Sequence, residues 1–144
     1  KDESANQQPK QTQSAYADEK QQDEQAVDGS VTFHGMKYSL EKQSDGKTAV
    51  VRTSDSGTKS VLFEVEGTPT SLILFNDTIL VPENRDSGWD VVACALVDGS
   101  LPTLIADKDG KAVGGNGTIT AATLDGTTLK VTDSTGNTTS VALQ

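Results

Sequence analysis

Cysteine, histidine and tryptophan each occur once in this 144-residue chain, and aromatic residues make up 4% of it. One cysteine forbids an internal disulfide and a cysteine-cluster metal centre, so stability must come from burial and hydrogen bonding. Inside "DVVACALV", Cys94 reads as a buried core thiol rather than a nucleophile, because apolar surroundings suppress the thiolate. His34, the only histidine, stands at a strand end before Gly35 and leaves general acid–base catalysis without its usual residue. No apolar run approaches the about 20 residues that a membrane-spanning helix needs. A Gly-x-Ser-x-Gly nucleophile elbow and a phosphate-cradling Gly-Lys-Ser/Thr loop are both missing. Basic residues are scarce as well: 12 Lys and Arg stand against 21 Asp and Glu, for a net charge of -9. Such a balance repels nucleic-acid phosphate and anionic lipid headgroups, so neither is expected as a partner. The first residue is Lys1 rather than Met, from which a cleaved or trimmed N-terminus is expected.

What is present falls into two parts. From residue 1 to about 27 the text "KDESANQQPKQTQSAYADEKQQDEQAV" is polar and carries one aromatic, Tyr16. Nothing there offsets the entropy of ordering, and Ala15, Tyr16, Ala26 and Val27 make no helical stripe, so 1–27 is expected to be a flexible tether. From residue 28 to 144, short runs of Val, Ile, Leu, Thr and Phe are cut by turn signals, with Asp-Gly at Asp28, Asp45, Asp98, Asp109 and Asp125. Glycine supplies the positive φ of a tight hairpin, so the rhythm predicts an all-β domain of about 10–11 short antiparallel strands.

The strand rhythm repeats. "VTFHGMKYSL" (31–40) lies over "LILFNDTILV" (72–81), and residues 48–67 lie over 89–110, with an offset of about 41 residues. A shortened third copy runs from 119 to 143, giving two and a half repeats in all. The alignment predicts that Phe33 matches Leu74, Tyr38 matches Ile79 and Val50 matches Val91 on equivalent faces. These copies resemble the four-stranded blades of secreted bacterial β-propellers. The tail is similar to the spacer that follows the lipid-anchored cysteine in bacterial surface lipoproteins. The resemblances imply a secreted or envelope-anchored protein, with membrane contact only through a lipid anchor outside this chain. Since a closed propeller takes about four or more blades, the meander is expected to curl into a barrel, a sandwich or a partial propeller, with self-association as one way of completing it.

The spacing "DKDG" at Asp107–Gly110 invites a calcium-loop reading, which fails on count. With Asp107 as position one, the glycine position falls on Ala112 and the bidentate glutamate position on Thr118, so no metal is expected at Asp107 and Asp109. No cofactor is expected either. The stretch "PENRDSGWD", Pro82 to Asp90, gathers the only Trp, one of two Arg residues and three acids. Read as a rim loop, it offers Trp89 as an apolar platform and Arg85 as a donor held in place by Glu83, Asp86 and Asp90, with Trp89, Arg85, Asp86 and Asp90 as the ligand-binding set for an extracellular protein or glycan. Against this stands the plainer reading, in which Trp89 begins the strand "WDVVACALV" and packs on the core while Arg85 pairs with Asp86 or Glu83 in solvent. The chain is therefore expected to be a non-catalytic, exported binding or interaction module. The alternative is a carbohydrate-active enzyme or accessory domain whose carboxylates meet only in the fold.

Overall fold

The computed structural model describes residues 29–143 and, as backbone alone, Glu24–Gln25. Among the described residues all regular structure is β-strand, in three antiparallel sheets that follow one another along the chain. The first sheet holds β1 (Glu24–Gln25), β2 (Val31–Phe33), β3 (Met36–Lys42), β4 (Thr48–Thr53) and β5 (Lys59–Val65), paired in chain order. The second is built on the long hairpin of β8 (Thr78–Arg85) and β9 (Gly88–Ala95). On one side β6 (Thr68–Pro69) and β7 (Ile73–Phe75) pair with β8, and on the other β10 (Thr103–Leu104) and β11 (Gly114–Gly115) pair with β9. The third is the meander β12 (Ile119–Asp125), β13 (Thr128–Asp133) and β14 (Thr138–Ala142).

The all-β, antiparallel class read from the sequence is what the structure has, and none of the sheets closes into a barrel. The tether expected over 1–27 lies outside the described residues except at Glu24–Gln25, whose backbone pairs with Thr32 and Val31. A strand edge offers hydrogen bonds to any backbone, whatever its side chains, which is why composition placed these two residues in the tether.

Strand periodicity decides how the sheets stack. Successive residues of a strand face opposite ways, so a strand apolar at every position must be covered on both sides. In β8, Ile79 and Val81 enter one cluster with Val31, Phe33, Tyr38, Val50, Phe63 and Val65 of the first sheet. Leu80, between them, joins Trp89 and Val91 in a second cluster with Leu129, Val131 and Val141 of the third sheet. The second sheet is thus the middle layer of three. The outer layers alternate instead: in the third sheet Leu129 and Val141 face inward while Lys130 and Ser140, one residue away, are exposed. On the far face of the first sheet, the ion pair of Lys59 with Glu41 (3.0 Å) reaches from β5 to β3 across β4, above Val51, which is 3% exposed. Long charged side chains cover apolar surface in this way while their heads stay wet.

The hairpins correct the sequence alignment by one residue. In the first sheet Phe33 pairs with Met36 around His34 and Gly35, whose φ values of 51° and 81° are those of a primed two-residue turn. The matching turn in the second sheet joins Phe75 to Thr78 around Asn76 (φ 54°), so Phe33 corresponds to Phe75, not Leu74, and Tyr38 to Leu80, not Ile79. Tyr38 faces the second sheet, whereas Ile79 faces back toward the first. A slip of one residue inverts a strand's faces, and a two-residue turn fixes the register that similarity of composition leaves open. Val50 and Val91 do take equivalent places, each facing the sheet that follows.

Because Ile79 is fully buried between two layers, Ile79→Ala should cost about 2–5 kcal/mol, against less than about 0.5 kcal/mol for Leu101→Ala on the surface. Denaturant midpoints at unchanged m-value would measure both.

Candidate functional site

The stretch expected to be a rim loop, Pro82 to Asp90, is the closed end of the β8–β9 hairpin. Glu83 pairs with Asp90, Asn84 with Trp89 and Arg85 with Gly88, leaving only Asp86 and Ser87 in the turn. Pro, Asn, Asp, Ser and Gly crowd this sequence and mimic a loop. Pro82 is tolerated in the strand because its carbonyl accepts from the Thr70 amide (2.9 Å) and hydroxyl (3.1 Å), and the neighbouring strand breaks there into β6 and β7, where no amide of Pro82 is needed.

Trp89 is not an open platform. It is 3% exposed and packs in the second cluster, with its indole N–H donating to Asp133 Oδ2 at 3.1 Å. The plainer reading of its place in the sequence is the correct one: odd residues of β9 from Trp89 onward face the third sheet, and the ring goes with them. Gly114 and Gly115 run against it, and a Cβ at Gly115 would strike the indole edge 2.7 Å from Nε1. Asp133 Oδ1 accepts from the Thr135 amide (2.9 Å) and hydroxyl. These donors, Thr135 first and then Trp89, hold the Asp133 carboxyl below the usual carboxylate range. Beside this contact Asn84 Oδ1 accepts the Ile119 amide at 2.8 Å, so the same hairpin face is tied twice to the third sheet.

The other face, toward the first sheet, carries charges. Glu83 is wholly buried; its Oε1 accepts the Gly67 amide (2.8 Å) and its Oε2 accepts from Arg85 (3.1 Å). Arg85 also pairs with Asp90 Oδ2 at 3.6 Å, and its guanidinium, 44% exposed, is held protonated by Glu83 first and Asp90 second. Asp90 Oδ1 is buried without a hydrogen-bond partner. Burial, reinforced by the adjoining Glu83 carboxyl, pushes Asp90 up to about 7. Gly67 is required by close approach, since a Cβ there would overlap the Asn84 carbonyl and the Arg85 side chain. Of the four residues expected to bind a ligand, Arg85 and Asp90 meet in this cluster, Asp86 is exposed in the turn, and Trp89 lies on the opposite face.

Asp107 shapes its own turn, with Oδ1 accepting the amides of Asp109 (2.9 Å) and Lys111 (3.0 Å). Among the described residues no three His, Cys, Asp or Glu side chains are grouped to hold a metal ion. Cys94 is buried, and that burial raises its thiol pKa. The large apolar side chains left exposed are Val61 and, close together in sequence after β9, Val97, Leu101 and Leu104. No family model, curated protein or solved structure matches this chain.

Trp89→Ala should cost about 3–5 kcal/mol, and the wild-type emission should be blue-shifted and insensitive to a soluble quencher. Asp133, with its folded pKa lowered, contributes stability that is complete above the unfolded carboxylate value of about 3.9 and lost as pH falls through the folded value. Acid unfolding of Asp133→Asn should accordingly be less steep below about pH 4 than that of the wild type, as ellipticity against pH would show.

Proposed function

We propose that this chain is a non-catalytic interaction module, exported and held at a bacterial cell envelope by its polar N-terminal segment, with any membrane contact made by a lipid anchor outside this sequence. Its three sheets are blade-like repeats, two of full size and one shortened, stacked face to face. The observation that carries the reading is the apolar side chains after β9: Val97 is 57% exposed, Leu101 78% and Leu104 47%, while the polar groups of the β8–β9 hairpin are largely engaged with one another or with the neighbouring sheets. Three exposed apolar side chains gathered on one segment of an acidic chain suit a protein partner. Arg85 and Asp86, at the hairpin tip, are its polar contacts with a protein or a glycan.

One observation favours the enzymatic alternative, namely the two facing carboxyls of Glu83 and Asp90. Glycoside hydrolysis needs its carboxyls about 5–9.5 Å apart around the scissile bond. Here the two residues sit directly opposite each other, both paired to Arg85, and Glu83 is sealed beneath Gly67 and Arg85, an arrangement better suited to holding the fold than to activating water.

A photo-cross-linking side chain placed at Leu101 and, separately, at Lys130 tests the reading on the protein mixed with an envelope fraction. A discrete adduct from position 101, lost when Val97 and Leu104 are changed to Ser, is the expected result. An adduct of twice the chain mass would make the partner a second copy. Equal labelling from both positions, or none, would retire the proposal, and glycan turnover abolished by Asp90→Asn would install the enzymatic reading in its place.

A further inference from the structure

The Glu83–Asp90 pair does more than neutralise Arg85, because of what Glu83 holds. Its Oε1 accepts the Gly67 amide, in the connection between the first and second sheets. That connection is then fastened to β8 by Thr68 opposite Asn84, Pro69 opposite Glu83, and Thr70 on the Pro82 carbonyl. Four charged groups make up the cluster, the pair itself and two others. Glu83 and Arg85 come from β8 and Asp90 from β9, while Glu66, next to Gly67 and paired with Lys47 at 3.7 Å, acts on Arg85. Two carboxyls thus face one guanidinium, and the buried Asp90 Oδ1 meets no donor.

We propose that Asp90 holds a proton against the facing Glu83 side chain and the shared Arg85, and that losing it loosens the Gly67–Thr70 connection from the second sheet, making the joint between the first two sheets responsive to pH. With one proton in place, the neutral carboxyl donates to its neighbour and the pair carries one negative charge, which Arg85 balances. Without it, two carboxylates oppose each other directly across the strands with one cation between them, an arrangement that weakens a strand pair. Arg85 lies nearer Glu83 (3.1 Å) than Asp90 (3.6 Å), and Glu83 also accepts the Gly67 amide while Asp90 Oδ1 meets no donor, so the proton resides on Asp90.

The sign follows from the direction of the shift. Asp90 binds its proton more tightly folded than unfolded, so its contribution to stability is complete below about pH 4 and is lost as pH rises through about 7. An Asn at position 90 keeps the shape of the neutral acid and cannot ionise.

Amide exchange at Gly67, corrected for the intrinsic pH dependence of exchange, tests this on the full chain. Wild-type protection should fall by up to about thirtyfold between pH 5.5 and 8, the factor set by the about 1.5 pH units that separate 5.5 from the folded Asp90 value of about 7, while Asp90→Asn should stay flat. Equal pH dependence in the two proteins would overturn the proposal. Should Asp90→Asn fail to fold, the carboxyl 13C shift of Asp90 in the wild type decides: a midpoint near 7 supports the proton held on Asp90 and one near 4 refutes it. The proposal stands apart from the interaction surface at Leu101, so either can fail without the other.

Discussion

Everything in this fold depends on the β8–β9 hairpin being buried on both faces. Ile79 and Val81 look one way and Leu80 and Val91 the other, and neither face tolerates water. At about 25 cal/mol per Å² of apolar surface removed from water, a two-faced apolar strand gains on both sides only if another layer covers each. The first and third sheets supply those layers, and their own outward faces carry charged and hydroxyl side chains, as at Lys59, Glu41, Lys130 and Ser140. Three layers result because only the middle one carries apolar clusters on both faces.

The closed end of that hairpin is where the layers are locked by polar contacts. Asn84 and Trp89 bond forward to Ile119 and Asp133, while Glu83 bonds back to Gly67. Adjacent positions on the same two strands therefore reach opposite neighbours. Buried polar groups cost free energy unless partnered, so each of these bonds specifies where a neighbouring chain segment must sit. Gly67 and Gly115 are the matching concessions, since a side chain at either place would collide with the hairpin. Asp90 is the exception, a buried carboxyl oxygen without a donor, and the pH-responsive joint proposed above originates there.

The sequence stretch richest in chemistry turned out to be structural for the same reason. Trp89, Arg85 and Asp90 stand close together in the chain, and a loop would have presented them together. A strand separates them: Trp89 faces the third sheet and Asp90 the first, with Arg85 bound between two acids. Three of the four large exposed apolar side chains among the described residues lie elsewhere, after β9, where the sequence drew attention mainly to an Asp-Gly turn.

By itself the sequence determined what is local. Apolar runs punctuated by Asp-Gly and related turns place the principal strands, because the left-handed backbone of a tight turn and the extended backbone of a Val- or Thr-rich run are set by a few neighbouring residues. The self-capping turn at Asp107 and the buried character of Cys94 were legible for the same reason. Tertiary structure alone decided which way each strand faces, since a one-residue difference in hairpin register inverts every side chain, as at Tyr38 and Ile79. It alone also decided the polar contacts that fix the layers. Trp89 finds Asp133 at a separation of 44 residues and Asn84 finds Ile119 at 35, and no local pattern announces a partner that distant. Glu83 looks in sequence like any solvated acid beside an arginine; only the arrival of Gly67 over it, and of the first sheet beyond, makes it a buried one.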